Sequence, residues 1–147
     1  MKRGYYGIGI FNSKNSTNLG CLMRTATNFK ADFIFTIGKR YRHQCSDTTK
    51  TYKHIPLYHY DDYEDFIKHI PHDCKLVAVE LDGRSQNLSN YIHRERCVYL
   101  LGAEDQGIPQ DILQKCNDII EINSNMCMNV AVAGGIVMYD RQSKKGL

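Results

Sequence analysis

An α/β fold, with a mostly parallel sheet covered by helices on both faces, follows from three features of this sequence. Strand-like and helix-like segments alternate along the whole chain, the first stretch already holds a strand, a helix and a second strand, and the composition is that of one globular domain. A strand, helix, strand unit within about 35 residues obliges its two strands to lie parallel. The 147 residues suit a single domain, expected over 1–147. Hydrophobic residues at 42% and charged residues at 24% supply a core and exclude disordered and fibrous chains.

Tyr5 to Phe11 is β-prone and runs into the polar, turn-forming segment Asn12 to Asn18, which predicts a first strand and a loop. Leu19, Leu22, Ala26 and Phe29 recur at helical spacing, so an amphipathic helix is expected from about Asn18 to Phe29. Phe33 to Ile37 reads as a buried strand. After an irregular middle, Asp61 to Ile70 is expected to be helical, with acids in its first turn facing the positive end of the helix dipole. Lys75 to Leu81 is a strand closed by Asp82-Gly83, and Arg96 to Leu101 is another. Pro109 to Cys116 reads as a short helix with proline at its first position, where the missing N–H has no partner to lose. Asp118 to Ile122 is the next strand, and Met128 to Gln142 closes the sequence as a helix. Its segment Val130 to Tyr139 is apolar around the whole wheel, and such a helix must be covered on all sides. A second subunit supplying the missing cover predicts a homodimer, with this helix in the interface.

The same segment is the longest uncharged apolar stretch, about half of the roughly 20 residues that a membrane-spanning helix needs. The apolar run behind the basic start is too short for a signal peptide, so a soluble, cytoplasmic protein with no membrane partner is expected. Cys21, Cys45, Cys74, Cys97, Cys116 and Cys127 form no C-x-x-C pair, which favours free thiols over a disulfide framework. His43-x-Cys45 and His72-x-Cys74 are close pairs, but four-ligand zinc sites repeat tighter spacings, and no metal is expected. A net charge of +3 does not by itself demand a nucleic-acid partner. Basic and aromatic groups do concentrate in Gly38 to His54, where Lys39, Arg40, Arg42, Lys50 and Lys53 stand with Tyr41 and Tyr52 against the single acid Asp47. That composition suits RNA contact and equally a solvated loop.

Three segments carry candidate chemistry. Asn18, Gly20, Arg24 and Thr25 follow the first strand, where open α/β sheets place their ligand sites. On the helical wheel Arg24 lies about 140° from Leu19, beside Thr17 and Asn28 and away from the apolar stripe. Leu101-Gly102-Ala103-Glu104-Asp105-Gln106-Gly107-Ile108-Pro109 follows a buried strand directly, and its two glycines let backbone approach a ligand closely. Cys127-Met128-Asn129-Val130 opens the last helix, with Asn129 as either an N-cap or a functional group. No dinucleotide or P-loop fingerprint stands at a strand-to-helix turn, because Gly7-x-Gly9 lies inside the first strand.

Together, and in this order, the three segments resemble the SpoU/TrmH family of RNA ribose 2'-O-methyltransferases, of the SPOUT class. That family shows N-x-G-x-x-x-R-T, then L-G-x-E-x-x-G-[IL]-P, then S-[LM]-N-[VL]-[SA] leading into an apolar helix. The chain matches with Asn18, Gly20, Arg24 and Thr25, with Leu101, Gly102, Glu104, Gly107, Ile108 and Pro109, and with Met128, Asn129, Val130 and Ala131. It departs at Cys127, where the family has serine, and in a segment between Ile122 and Cys127 that is shorter than usual.

The resemblance implies a C-terminal trefoil knot, S-adenosylmethionine as cofactor, an RNA substrate with tRNA ahead of ribosomal RNA, and a homodimer without a separate RNA-binding domain. It also implies roles. Arg24 acts on the ribose 2'-hydroxyl, as general base or as a group that orients a phosphate and stabilises a developing alkoxide, the latter being easier for a guanidinium with pKa above 12. Asn18, Glu104 and Asn129 position Arg24 and the ribose, while Val79, Gly102, Ile122, Cys127 and Met128 hold the cofactor. Three other readings stay open: a SPOUT methyltransferase acting on a base, an RNA-binding protein of this fold without methyl transfer, and a flavodoxin-like nucleotide binder.

Overall fold

The computed structural model describes residues 4–38, 53–103 and 105–146. Glu104 and most of the basic segment Gly38 to His54 lie outside the described residues. Among the described residues seven strands form one sheet: β1 (Tyr5–Phe11), β2 (Phe33–Ile37), β3 (Leu57–Tyr60), β4 (Lys75–Val79), β5 (Gln86–Asn87), β6 (Arg96–Gly102) and β7 (Asp118–Glu121). Their order is β3-β2-β1-β6-β4-β7-β5, and every ladder is parallel. The helices are α1 (Ser16–Asn28), α2 (Tyr63–His69), α3 (Gln110–Leu113) and α4 (Val130–Lys145).

Alternation along the central strands sorts side chains into two cores, as period-2 geometry requires. Cys97, Tyr99 and Leu101 of β6 join Ile8 and Ile10 of β1 on the face covered by α1 and α4. Val98 and Leu100 join Phe33, Phe35 and Phe66 on the face covered by α2 and α3. Gly7 and Gly9 belong to this second face, because a Cβ on either would stand within 2.6 Å of the Phe33 or Phe35 ring. Both glycines are packing residues.

Several boundaries differ from expectation. Helix α1 starts two residues early, because Asn15 rather than Asn18 caps it, its side chain accepting from the Thr17 amide at 2.8 Å. Pro109 stands at the cap of α3 instead of in its first turn, and the helix is only four residues long. Strand β4 stops at Val79, and Glu80 and Leu81 lie beyond its carboxyl end. Strands β3 and β5 were not foreseen. Helix α4 runs on to Lys145, where Gly146 ends it in the left-handed conformation.

Helix α4 is also less uniform than its composition suggests. Val137 and Met138 are fully buried within the protomer, whereas Val132, Ile136 and Tyr139 are 53%, 37% and 62% exposed. The apolar cover that is missing is therefore a single stripe at i, i+4 and i+7. Near its end, Arg141 is only 2% exposed. Its guanidinium lies over the Tyr6 ring at 4.8 Å and donates to the carbonyls of Arg94 and Glu95 at 2.7 and 3.0 Å, tying α4 to the turn before β6. The five described cysteines are free thiols, and no helix of the described residues is long and apolar enough to cross a membrane.

Candidate functional site

The C-terminal ends of β4, β6 and β7, neighbours in the middle of the sheet, open into a cavity of about 650 Å³. Parallel strands bring this about: all their carboxyl ends point the same way, and the loops that follow must enclose the space above them. Val79, Gly102, Ile122, Cys127 and Met128, the residues expected to hold the cofactor, all line this cavity. Leu101, Ile108 and Leu113 add apolar wall suited to a flat heterocycle. Glu80 and Glu121 also line it, and no Lys or Arg does among the described residues, so the cavity favours a ligand that carries positive charge.

A smaller cavity of about 230 Å³ adjoins it and shares Ala103 and Val130 as lining residues. Asn18, Lys14 and Asp105 line this second space. Asn18 is 7% exposed, and its Oδ1 accepts from Nδ2 of Asn129 at 2.8 Å. The Oδ1 of Asn129 accepts from the amides of Ala131 and Val132 at 2.9 and 3.2 Å, so one side chain caps α4 and grips α1. Asn18 thus lines the smaller cavity, whereas Asn129 lines neither and meets it through Asn18, 111 residues away in sequence. Lys14 is ion-paired with Asp105, and that contact holds the Asp105 carboxyl below its ordinary pKa.

Arg24 is exposed on α1 and lines neither cavity. Its neighbour Thr25 packs against Gly135 of α4, which places this part of α1 next to the helix that carries the exposed apolar stripe. At the cavity rim, Arg84 and Gln110 both bond Asp82, and the Arg84 contacts hold that carboxyl well below the usual range. A third cavity, about 700 Å³, lies at the opposite end of the sheet beside Tyr6 and Phe29 and contains no candidate residue.

One residue of the cavity was missed by sequence reasoning. Glu80 Oε2 accepts from the amide of Ile108 at 3.0 Å, across from β4 to the loop after β6. The available signal was an acid placed directly after an apolar strand, which was read as part of that strand.

Known proteins agree with this architecture. A crystal structure of an AdoMet-bound rRNA methyltransferase from Sinorhizobium meliloti superimposes with a TM-score of 0.86 at 22% identity, over 97% of this chain and 57% of that one. The SpoU methyltransferase AviRb from Streptomyces viridochromogenes, in complex with AdoMet, gives 0.86 at 14% identity, over 99% of this chain and 62% of that one. A structure described as giving insights into the 2-OH methylation of C/U34 on tRNA gives 0.81 at 19% identity and matches 98% of this chain and 99% of its own. In sequence, the mouse tRNA (guanosine(18)-2'-O)-methyltransferase TARBP1 is 32% identical over 76 residues, which is 48% of this chain and 5% of that protein. The chain therefore spans a small part of that curated relative and little more than half of the Sinorhizobium protein. The profile of the SpoU rRNA Methylase family matches residues 7–139, nearly the whole length, and the chain belongs to that family.

Proposed function

We propose that the protein transfers a methyl group from S-adenosylmethionine to a ribose 2'-hydroxyl of RNA, with tRNA ahead of ribosomal RNA, and that it works as a homodimer in the cytoplasm. The observation that carries this reading is the junction of the two cavities at Ala103 and Val130, with the Asn18 and Asn129 amides beside it. Apolar walls and two carboxylates in the larger cavity fit an adenosyl group attached to a cationic centre. When bound, the cofactor supplies an electrophilic methyl group on sulfonium.

The chain's own residues then have two tasks. One is alignment: the 2'-hydroxyl must sit in line with the methyl group, and this task falls to Asn18, which lines the smaller cavity, with Asn129 holding the Asn18 amide. The other is charge. The hydroxyl oxygen gains negative charge as its proton leaves, and Arg24 is the residue that the family motifs assign to it, with Glu104 positioning Arg24 and the ribose. Arg24 reaches this role across a dimer interface, since it stands beside α4, whose stripe of Val132, Ile136 and Tyr139 is the surface that a second copy would cover. A knotted C-terminal segment belongs to the same reading. It is supported by a strand order in which β6 and β7 both lie beside β4.

Incubating the full chain with methyl-labelled cofactor and with tRNA or ribosomal RNA, followed by digestion and mass spectrometry, tests the proposal. A 2'-O-methylated nucleoside from tRNA is expected. Label on a base would support the base-methylating reading, and cofactor or RNA binding without transfer would support an inactive RNA-binding protein.

A further inference from the structure

We propose that Glu80 is a positioning residue for the cofactor cavity, holding Gly102, Gly107 and Ile108 where they form a cavity wall. This rests on the reading of that cavity as the S-adenosylmethionine site.

Glu80 stays anchored to the sheet through its backbone, whose amide donates to the Ile120 carbonyl at 2.9 Å. Its side chain turns the other way. Oε1 accepts from the Leu81 amide at 3.0 Å, which fixes the carboxylate plane, and Oε2 accepts from the Ile108 amide at 3.0 Å. Gly107 has φ of +65°, and a Cβ built on it would lie 2.4 Å from that same Oε2. The carboxylate thus occupies the space that any side chain at position 107 would need.

From there the contact passes to the cavity. The Gly107 amide donates to the Ala103 carbonyl at 2.8 Å, which closes the loop on itself. A Cβ on Gly102 would lie 2.5 Å from the Gly107 carbonyl carbon, so the two backbones are in direct contact. Glu80 therefore sets Gly107 and Ile108, and these set Gly102. All four line the cavity. The loop's other described tether is the Lys14 to Asp105 ion pair, with side chains 59% and 46% exposed, a kind of contact that holds little on its own.

A merely structural role would lower stability and leave ligand affinity alone, and a purely electrostatic one would act on the cationic cofactor and spare its neutral product. Positioning predicts a third pattern. In calorimetry on the full chain, Glu80→Ala should weaken binding of both S-adenosylmethionine and S-adenosylhomocysteine about tenfold or more, with a melting temperature within a few degrees of wild type. Glu80→Gln, which keeps one acceptor oxygen, should fall between. Gly107→Ala, strained by its φ of +65° and by the clash with Oε2, should also weaken binding, and the two losses should fall short of multiplying in the double variant, because the clash disappears with the carboxylate. Unchanged affinity in Glu80→Ala, a loss confined to S-adenosylmethionine, or losses that multiply would each overturn the proposal. Should Glu80→Ala fail to fold, Glu80→Gln and Gly107→Ala carry the same test. A wild-type chain that binds neither compound would instead overturn the cofactor reading itself.

Discussion

Asn129 uses the two ends of one amide for two jobs, and substitution can separate them. Its oxygen caps α4 and its nitrogen reaches Asn18 on α1. Asn129→Ala should destabilise the fold by about 1–2 kcal/mol in urea unfolding, through loss of the cap and of a partner for a buried group. Asn129→Ser should recover most of that stability, since serine caps well, but is too short to reach Asn18. Methyl transfer should stay depressed in both variants, and a Ser variant with wild-type turnover would leave Asn129 as a cap alone. At this scale the motifs and the resemblance named residues that the fold brings together: Asn18 bonds Asn129, and Val79, Gly102 and Ile122 line one cavity. The sequence was silent where the role depends on a partner brought in by the fold. Glu80 reads as part of a strand and Arg141 as one residue of the last helix, because neither Ile108 nor Tyr6 is near it in sequence.

Among the elements, α4 makes the sharpest prediction about assembly. Ile136→Glu places a charge on the outward stripe, so it should leave the protomer folded while raising the dissociation constant of the proposed dimer tenfold or more in sedimentation. Val137→Asp is a different experiment: that side chain is 0% exposed inside the protomer, and the variant should fail to fold. A wild-type chain that is monomeric and fully active at micromolar concentration would remove the interface from the mechanism. At the start of β7, Asp118 accepts from Arg94 and Tyr91, and those bonds hold its carboxyl below the ordinary value. A depressed folded pKa contributes stability above the unfolded value near 4, which is lost as pH falls through the folded one. Asp118→Asn should therefore be less stable than wild type at pH 7, with the gap closing at more acid pH in denaturant titrations. Elements with apolar runs were legible for the same reason that they are central: β1, β2, β4 and β6 are buried from both sides. Strand β3 is an edge strand whose residues are exposed or half-buried, and β5 has two residues, so neither carries a hydrophobic signature.

For the molecule as a whole, acid sensitivity should centre on the floor of the α4 face. His93 has no exposed side-chain surface, with Nδ1 at 2.6 Å from the Tyr99 hydroxyl and Nε2 at 2.7 Å from Asp140. These partners suit a neutral ring, its Nε2–H donating to the carboxylate and its Nδ1 accepting from Tyr99. Burial lowers its pKa below 6.5; Asp140 pulls the other way, and the cations of Arg141 and Lys144 add to the lowering. The unfolded chain thus takes up a proton first. Stability from this site is complete above about pH 6.5 and is lost as pH falls through that value toward the folded pKa. Thermal unfolding at pH 7 and pH 5 should show the fall, and His93→Gln should flatten it. The strand order has a further consequence, for the chain while it is being made. Tyr5 pairs with Arg96 and Phe11 with Gly102, so during synthesis β1 gains one of its two neighbours only when β6 emerges, 91 residues after it. Until then β1 can rest on β2 alone, with the other edge of a strand built for the centre of a sheet left open. At about 5–20 residues per second that interval lasts seconds, long enough for the nascent β1–β2 pair to need shielding from other chains.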